Sequence, residues 1–392
     1  MICINCLHIS LNRILLLTVG LWPYQQSKLV RVQLVLSLAI LMTFIIFQFT
    51  IFVTSKCTPD LFINVFSSAS VCIFFLIKYI WFSINIEVIK YLLEQLQNIY
   101  NKLTDENEIS IMQEYSNYAK RYTIALTLLF ICVAPVSIIY SFWPYLYNII
   151  LSINEPQSHP RLLILTEHFI DEKKYVYLIL LHAYAALFLG TITLIATGTL
   201  FIVYIQHACG MFRIVSYRIE QAMAVNTLRK KKLQNKNSIY KKLIHAVYMH
   251  REAMRFADSS VSKFKVMFVM LIIAGIMSAS LSAFRALTMD SDFEKLFIPF
   301  IIILINFLYA VIGNYMAQEV MDHNNDVFVT VYNIKWYTAS LKIQKMILFL
   351  LQRGTKVFNL NIAGLFVGSL EGAATLLSTA ISYFTVLYST RM

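Results

Sequence analysis

The sequence predicts an all-α protein, a bundle of seven membrane-spanning helices, and three observations carry that prediction. Its 392 residues are 58% hydrophobic. Only 14% are charged, against roughly 25% in soluble domains. Apolar runs of about 20 residues, the length that crosses about 30 Å of hydrocarbon, recur along the chain, and the mean hydropathy is +0.65.

The predicted spans run from Gln33 to Val53, Leu61 to Phe82, Tyr122 to Leu146, Tyr175 to Tyr204, Phe264 to Leu287, Phe297 to Met316 and Ser369 to Tyr388. An earlier apolar patch, Ile14 to Gly20, follows Arg13 like a short signal-peptide core. The "GLWPYQQSK" behind it offers no small-residue cleavage site. Residues 1–32 are therefore expected as a retained segment at the membrane interface, with Trp22 and Tyr24 as anchors.

Lys and Arg accumulate on the cytoplasmic side of membranes, so their placement sets the orientation. Most of the 33 Lys and Arg fall in the N-terminal segment and the second, fourth and sixth connections; the fourth alone holds "RKKKLQNKNSIYKKL", Arg229 to Leu243. The other side has chiefly Lys56, Arg161, Lys173, Lys174 and Lys295, with the acidic Asp290, Asp292 and Glu294. The expectation is a cytoplasmic N-terminus and an extracellular C-terminus, the reverse of a G-protein-coupled receptor. Lys78 and Lys265 then lie near cytoplasmic ends of their spans, where they are expected to snorkel to the headgroups.

The cytoplasmic connections are long and patterned. Between Asn85 and Arg121, Ile89, Leu92, Leu96, Ile99 and Leu103 form one stripe, which predicts helices continuing beyond the bilayer as an anchor region. Leu341 to Val357 puts Ile343, Met346, Ile347, Leu350 and Leu351 on one face, with Lys345, Gln352 and Arg353 elsewhere. This amphipathic helix has two readings, one lying on the membrane surface and one packing subunits together in the cytoplasm. The expected divisions are thus the segment 1–32, a six-helix ligand-binding bundle 33–338, a packing helix 339–358 and a last helix 369–390.

Enzyme chemistry needs a constellation, and none is visible: no His-Glu-x-x-His, no Gly-rich phosphate loop, no carboxylate pair within a span. No cofactor or metal is expected, since Cys3 and Cys6 have zinc-like spacing without a second pair. Cys57, Cys72, Cys132 and Cys209 are scattered, and no glycosylation sequon occurs. The net charge of +12 follows the cytoplasmic membrane face, which points to anionic lipid headgroups and not to nucleic acid. A transporter would show inverted repeats and helices broken at mid-membrane; Pro135, Pro144 and Pro299 are the only span prolines, the last two near outer ends.

Four stretches in order carry a family resemblance: "LNRILLLTVGLWPY" (Leu11 to Tyr24), "HACGMFRIVSYRIE" (His207 to Glu220), "YNIKWY" (Tyr332 to Tyr337) and "SYFTVLYST" (Ser382 to Thr390). Together they resemble an insect odorant receptor, in the style of ants, bees and wasps. The resemblance implies a tuning subunit of an odorant-gated, non-selective cation channel in the plasma membrane of an olfactory neuron dendrite. It further implies a tetramer shared with the odorant receptor co-receptor. A gustatory receptor is the alternative within the same architecture, but its Gln-Phe ending is missing after Ser382 and Tyr383. A metabotropic seven-helix receptor is the alternative from another class.

In such a channel the last helix lines the pore, where a gate needs an apolar ring and a passing ion needs small or hydroxylated neighbours. Val386 is the apolar candidate, and Ser389 and Thr390 the polar ones, where the co-receptor carries Gln and Leu. Ser378, Thr379, Ser382 and Thr385 have the alternative of bonding back to their own helix. Glu371 falls at the helix start, where the dipole favours a carboxylate.

A small, mostly apolar odorant needs an enclosed site lined by aromatics with few polar groups. The outer and middle parts of spans two to six offer Val71, Phe74 and Phe75; Ser137 and Tyr140; Tyr184 and Phe188; Met277 and Ser280; and Leu304 and Phe307. The resemblance favours the second, third, fourth and sixth helices, with Val71, Phe74 and Phe75 as one lining set. His182 is either a hydrogen-bonding group for a ligand or a satisfied packing histidine.

Overall fold

The computed structural model describes residues 8–25, 27–150, 164–169, 172–228, 233–288 and 293–390. Cys3, Cys6, Arg161, Asp290, Asp292 and the start of the basic run, Arg229 to Lys232, lie outside the described residues. Its helices are α1 (Ser10–Thr18), α2 (Lys28–Phe49), α3 (Ile51–Thr54), α4 (Pro59–Ile84), α5 (Ile86–Asn101) and α6 (Glu106–Ile150). There follow α7 (Glu172–Leu228), α8 (Leu233–Ser262), α9 (Lys265–Thr288), α10 (Phe293–Asn333), α11 (Leu341–Gly354) and α12 (Leu370–Ser389).

Seven of these are long and apolar enough to cross a membrane: α2 with α3, α4, α6, α7, α9, α10 and α12. The chain is a mostly helical membrane protein. Three helices overrun the bilayer by a wide margin, since 57 residues in α7 rise about 1.5 Å each. Their extra turns gather with α1, α5, α8 and α11 at one end of the bundle, called here the basic end.

Local chemistry sets the boundaries. Ser27, Thr58 and Ser369 cap the N-termini of α2, α4 and α12, each side chain accepting a backbone N–H of the first turn. Pro59 follows as the first residue of α4, where a missing N–H costs nothing. The sequence "NLNIAGLF" forms a two-stranded antiparallel hairpin, β1 (Asn361–Ile362) and β2 (Phe366–Val367). Ala363 and Gly364 both take positive φ at its turn, as a type I′ turn requires.

The basic end has an apolar core. Ile89, Leu92, Met112, Phe212, Ile214 and Val327 are buried completely, and an apolar stripe at helical spacing explains why: each helix turns one face inward. Beside it, the Arg218 guanidinium donates to both carboxylate oxygens of Glu108 at 2.6 and 2.7 Å. His250 is buried nearby, 3.0 Å from Asn324 Oδ1 and edge-on to Phe212 and Phe328.

Two expectations change here. Trp22 is only 4% exposed and belongs to this core, so it is not an interface anchor. The reason is α1, whose Leu16 is fully buried and whose Asn12 donates to Thr199 Oγ1 of α7 at 2.9 Å. The segment is an internal prop, and Tyr79 of α4 holds its end by donating to the Val19 carbonyl at 3.1 Å. Lys78 does not snorkel either. Its side chain is fully buried, because Thr197 and Tyr309 receive it inside the bundle.

Candidate functional site, a cavity inside the bundle

The site is built where α4, α7, α9 and α10 meet. Val71 and, one turn on, Phe74 and Phe75 share one α4 face and, with Leu194, Ser278, Asn306 and Tyr309, close a cavity of about 20 Å³. That is room for about one water. Beside it lies a larger cavity of about 830 Å³, which shares Phe74, Phe75, Leu194, Asn306 and Tyr309. Its volume falls within the roughly 300–1,000 Å³ of small-molecule sites.

Shape follows from a few residues. Phe75 lies against α7 because residue 190 is glycine; a Cβ there would stand 2.2 Å from the ring. Phe74 meets Tyr309 edge-on at 5.0 Å between centroids. Asn306, alone in the apolar run "IIILINFLYA", donates to Ser278 Oγ of α9 at 3.1 Å and to the Ile302 carbonyl at 2.9 Å. An apolar wall with isolated polar atoms suits a ligand that buries area and makes few hydrogen bonds.

Of the residues expected from sequence, Val71, Phe74, Phe75, Leu304 and Phe307 line one or both cavities. The others stand elsewhere. Tyr184 donates to Ser141 Oγ at 2.6 Å and to the Ser137 carbonyl at 3.1 Å, which ties α7 to α6. Tyr140 stacks on Phe297 at 4.6 Å. Phe188 and Met277 are half exposed on the outer surface, where lipid or another subunit covers them in a membrane. His182 is the packing histidine, bonded to Thr43 Oγ1 at 3.0 Å and flanked edge-on by Phe44 and Phe47.

Ser280 has a different part. Its hydroxyl bonds to Ile276 within α9 and, at 2.9 Å, to the Ala380 carbonyl of α12. Ser278 and Ser282 flank it, the first bonded to Asn306 and the second 2.9 Å from Ser67 of α4. The sequence "SASLS" thus joins α9 to α10, α12 and α4 in turn. Such alternating hydroxyls are a usual glue between membrane helices.

The last helix is nearly bare. Only Gly372 and Ala373 of α12 are buried, whereas Ile381 and Val386 are 61% and 59% exposed. Thr379, Ser382 and Thr385 bond back to carbonyls of their own helix, as do Ser389 and Thr390 at 2.9 and 2.8 Å. A hydroxyl that donates this way keeps its oxygen lone pairs free to face a cation.

The sequence profile described as 7tm odorant receptor matches residues 58–381. The chain belongs to that odorant receptor family. Its fold is similar to the insect olfactory receptor OR5 from Machilis hrabei in complex with eugenol, with a TM-score of 0.78, 16% identity and 98% of each chain covered. It is also similar to the same Machilis receptor in a structure described without eugenol, with a TM-score of 0.70, 14% identity and 97% coverage of each chain. No curated protein sequence matches it. The family consists of receptors, not enzymes, and the resemblance carried by the four stretches agrees with this membership.

Sequence reasoning missed Tyr309, Asn306, Ser278 and the inward turn of Lys78. A signal existed for two of them. Asn306 and Lys78 are the polar interruptions of "IIILINFLYA" and "IFFLIKYIWF", and a polar residue inside a span faces protein more often than lipid.

Proposed function

We propose that this receptor is the odorant-specific tuning subunit of a heteromeric, odorant-gated, non-selective cation channel in the plasma membrane. It assembles with the odorant receptor co-receptor, with its N-terminus and basic end in the cytoplasm and its C-terminus outside. The ligand is a small apolar or amphipathic odorant held in the larger cavity, which α4, α6, α7, α9, α10 and α12 line. The single observation that carries this reading is the shared α9 wall, which lines the larger cavity at Ile276 and Ala279 and holds α12 at Ser280.

The mechanism follows from that arrangement. Burying an odorant against Phe74, Phe75 and Tyr309 favours the α9 and α10 positions that leave it room. A ligand shifts such an equilibrium only by its differential affinity for the two states. Because the Ser280 to Ala380 bond moves α12 with α9, the selected state carries the α12 tip with it. In an assembly, Val386 supplies the apolar constriction there, and Ser389 and Thr390 the polar lining. The exposed apolar faces of Phe188, Met277 and α12 become lipid or subunit contacts.

Whole-cell current tests it, in cells expressing this chain with and without the co-receptor, during a volatile panel and with G-protein signalling blocked. Fast cation current that needs both chains is the expected result. Signals that vanish with the block would replace the reading with a metabotropic one.

A further inference from the structure

Lys78 carries an amine into the middle of an apolar bundle and finds little there to balance a charge on it. The side chain is fully buried. Its Nζ donates to Thr197 Oγ1 at 3.2 Å and sits 4.8 Å from the Tyr309 ring centroid. An ammonium has three donors, so this leaves capacity unused. None of the ion pairs among the described residues involves Lys78. Burying an ammonium without a counter-charge costs several kcal/mol in order of magnitude, so an ionisable residue at membrane depth asks for a partner.

Placement says where the partner enters. Lys78 lies one turn along α4 from Phe74 and Phe75, which line the cavity. Gly198 also lines the larger cavity, and a Cβ built on it would stand 3.9 Å from Lys78 Nζ. Lys78 itself lines neither cavity, and Gly198, without a side chain, is the thin wall between its amine and the larger one. Tyr309 touches both neighbours, its ring edge-on to Phe74 at 5.0 Å and its centroid 4.8 Å from the amine. Among the described residues its hydroxyl has no hydrogen-bond partner, which leaves a second polar atom for a ligand head.

We propose that Lys78, reached past Gly198 and beside Tyr309, is the polar anchor of the cavity and that the ligand class is the carboxylic acid. The acid head meets the amine and the alkyl tail lies along Phe74 and Phe75. This rests on the reading of the cavity as the odorant site, and it adds a ligand class and a specificity residue to it. The same chemistry could arrive as a volatile acid from outside or as a fatty acid from the bilayer.

Equilibrium binding to the full chain in lipid nanodiscs tests the proposal without requiring a current. The probes are decanoic acid, methyl decanoate and decane, with hexanoic and oleic acids as the chain-length arm. A hydrogen bond between charged groups contributes about 10- to 100-fold in affinity, so decanoic acid should bind that much tighter than its methyl ester. The preference should collapse in Lys78→Met and in Gly198→Val while decane binding to Lys78→Met is unchanged. Should Lys78→Met fail to accumulate, the wild-type ratio and Gly198→Val decide. Equal binding of acid and ester, or a preference that survives both substitutions, overturns the proposal. Stronger binding of hexanoic acid than of oleic acid assigns a volatile source, and the reverse a lipid source; either keeps the acid class. Acid binding without any current in the presence of the co-receptor would leave this inference standing and remove the channel reading instead.

Discussion

α7 and α12 are both helices long enough to span a membrane, and they differ in what surrounds them. The core half of α7 is enclosed: Thr197, Leu200, Ala208, Phe212 and Ile214 are fully buried, and the helix packs on α1, α2, α4, α6, α8 and α10. The outer turns of α12 touch little, and Ile381, Tyr383 and Val386 are more than half exposed. The difference teaches where each kind of work is done. A helix enclosed by six neighbours fixes the fold, whereas an apolar helix left bare in one chain is finished by lipid or by other subunits.

Substitutions around α7 should therefore act on folding and those around α12 on current. The largest effect is expected at the Arg218–Glu108 pair, whose carboxylate is buried and whose guanidinium is partly exposed. Arg218→Met leaves the Glu108 carboxylate uncompensated and should destabilise the receptor by about 2–3 kcal/mol, lowering its melting temperature and surface level. Glu108→Met with Arg218→Met should restore much of that loss, because no lone charge remains; a double variant as damaged as the single one would contradict this.

Next comes Gly190→Ala, which drives a Cβ to 2.2 Å from the Phe75 ring. Overpacking of this kind costs about 1–3 kcal/mol. It should also shift odorant dose–response curves, as Phe75 is pushed into the cavity; unchanged curves would remove Phe75 from the ligand site. Ser280→Ala should cost only about 1 kcal/mol in stability, the net worth of a hydrogen bond. Odorant binding should persist while the current it evokes falls, and an unaltered current at saturating odorant would break the proposed coupling of α9 to α12.

The smallest stability effect is expected at the α12 tip. Val386 and Ser389 are exposed, so replacing either should change stability by no more than about 0.5 kcal/mol. Conductance or ion selectivity should change nonetheless. This pairing of a silent melting curve with an altered current separates α12 from α7 most sharply.

Most of the fold was legible because hydropathy alone locates a span. The seven expected runs and the amphipathic stretch at Leu341 correspond to helices, and the stripe from Ile89 to Leu103 turned out to be buried along its length. Hydropathy does not say which way a span faces. In an apolar solvent a lipid-facing Phe188 and a cavity-facing Phe75 have the same composition signature, so aromatics expected together separated. Trp22 and Lys78 misled for a related reason: rules for anchors and snorkelling assume a free interface, and in this chain α1 and Tyr309 had already taken those places. Polar residues inside apolar runs proved better guides. Asn306, Ser278, Ser280 and Lys78 all face protein, since each needs a hydrogen-bonding partner that lipid tails lack.

The most direct test of the central claim, that α12 of this chain lines an odorant-gated pore, is accessibility of its tip during current. Ser389→Cys, expressed with the co-receptor, would be exposed to a charged thiol reagent from outside while odorant holds the channel open. The account predicts an irreversible loss of current, faster with odorant than without and absent from the wild type, whose native cysteines serve as the control. Labelling of the introduced cysteine that leaves the current unchanged would contradict it, because a residue beside the ion path cannot carry a bulky charge unnoticed.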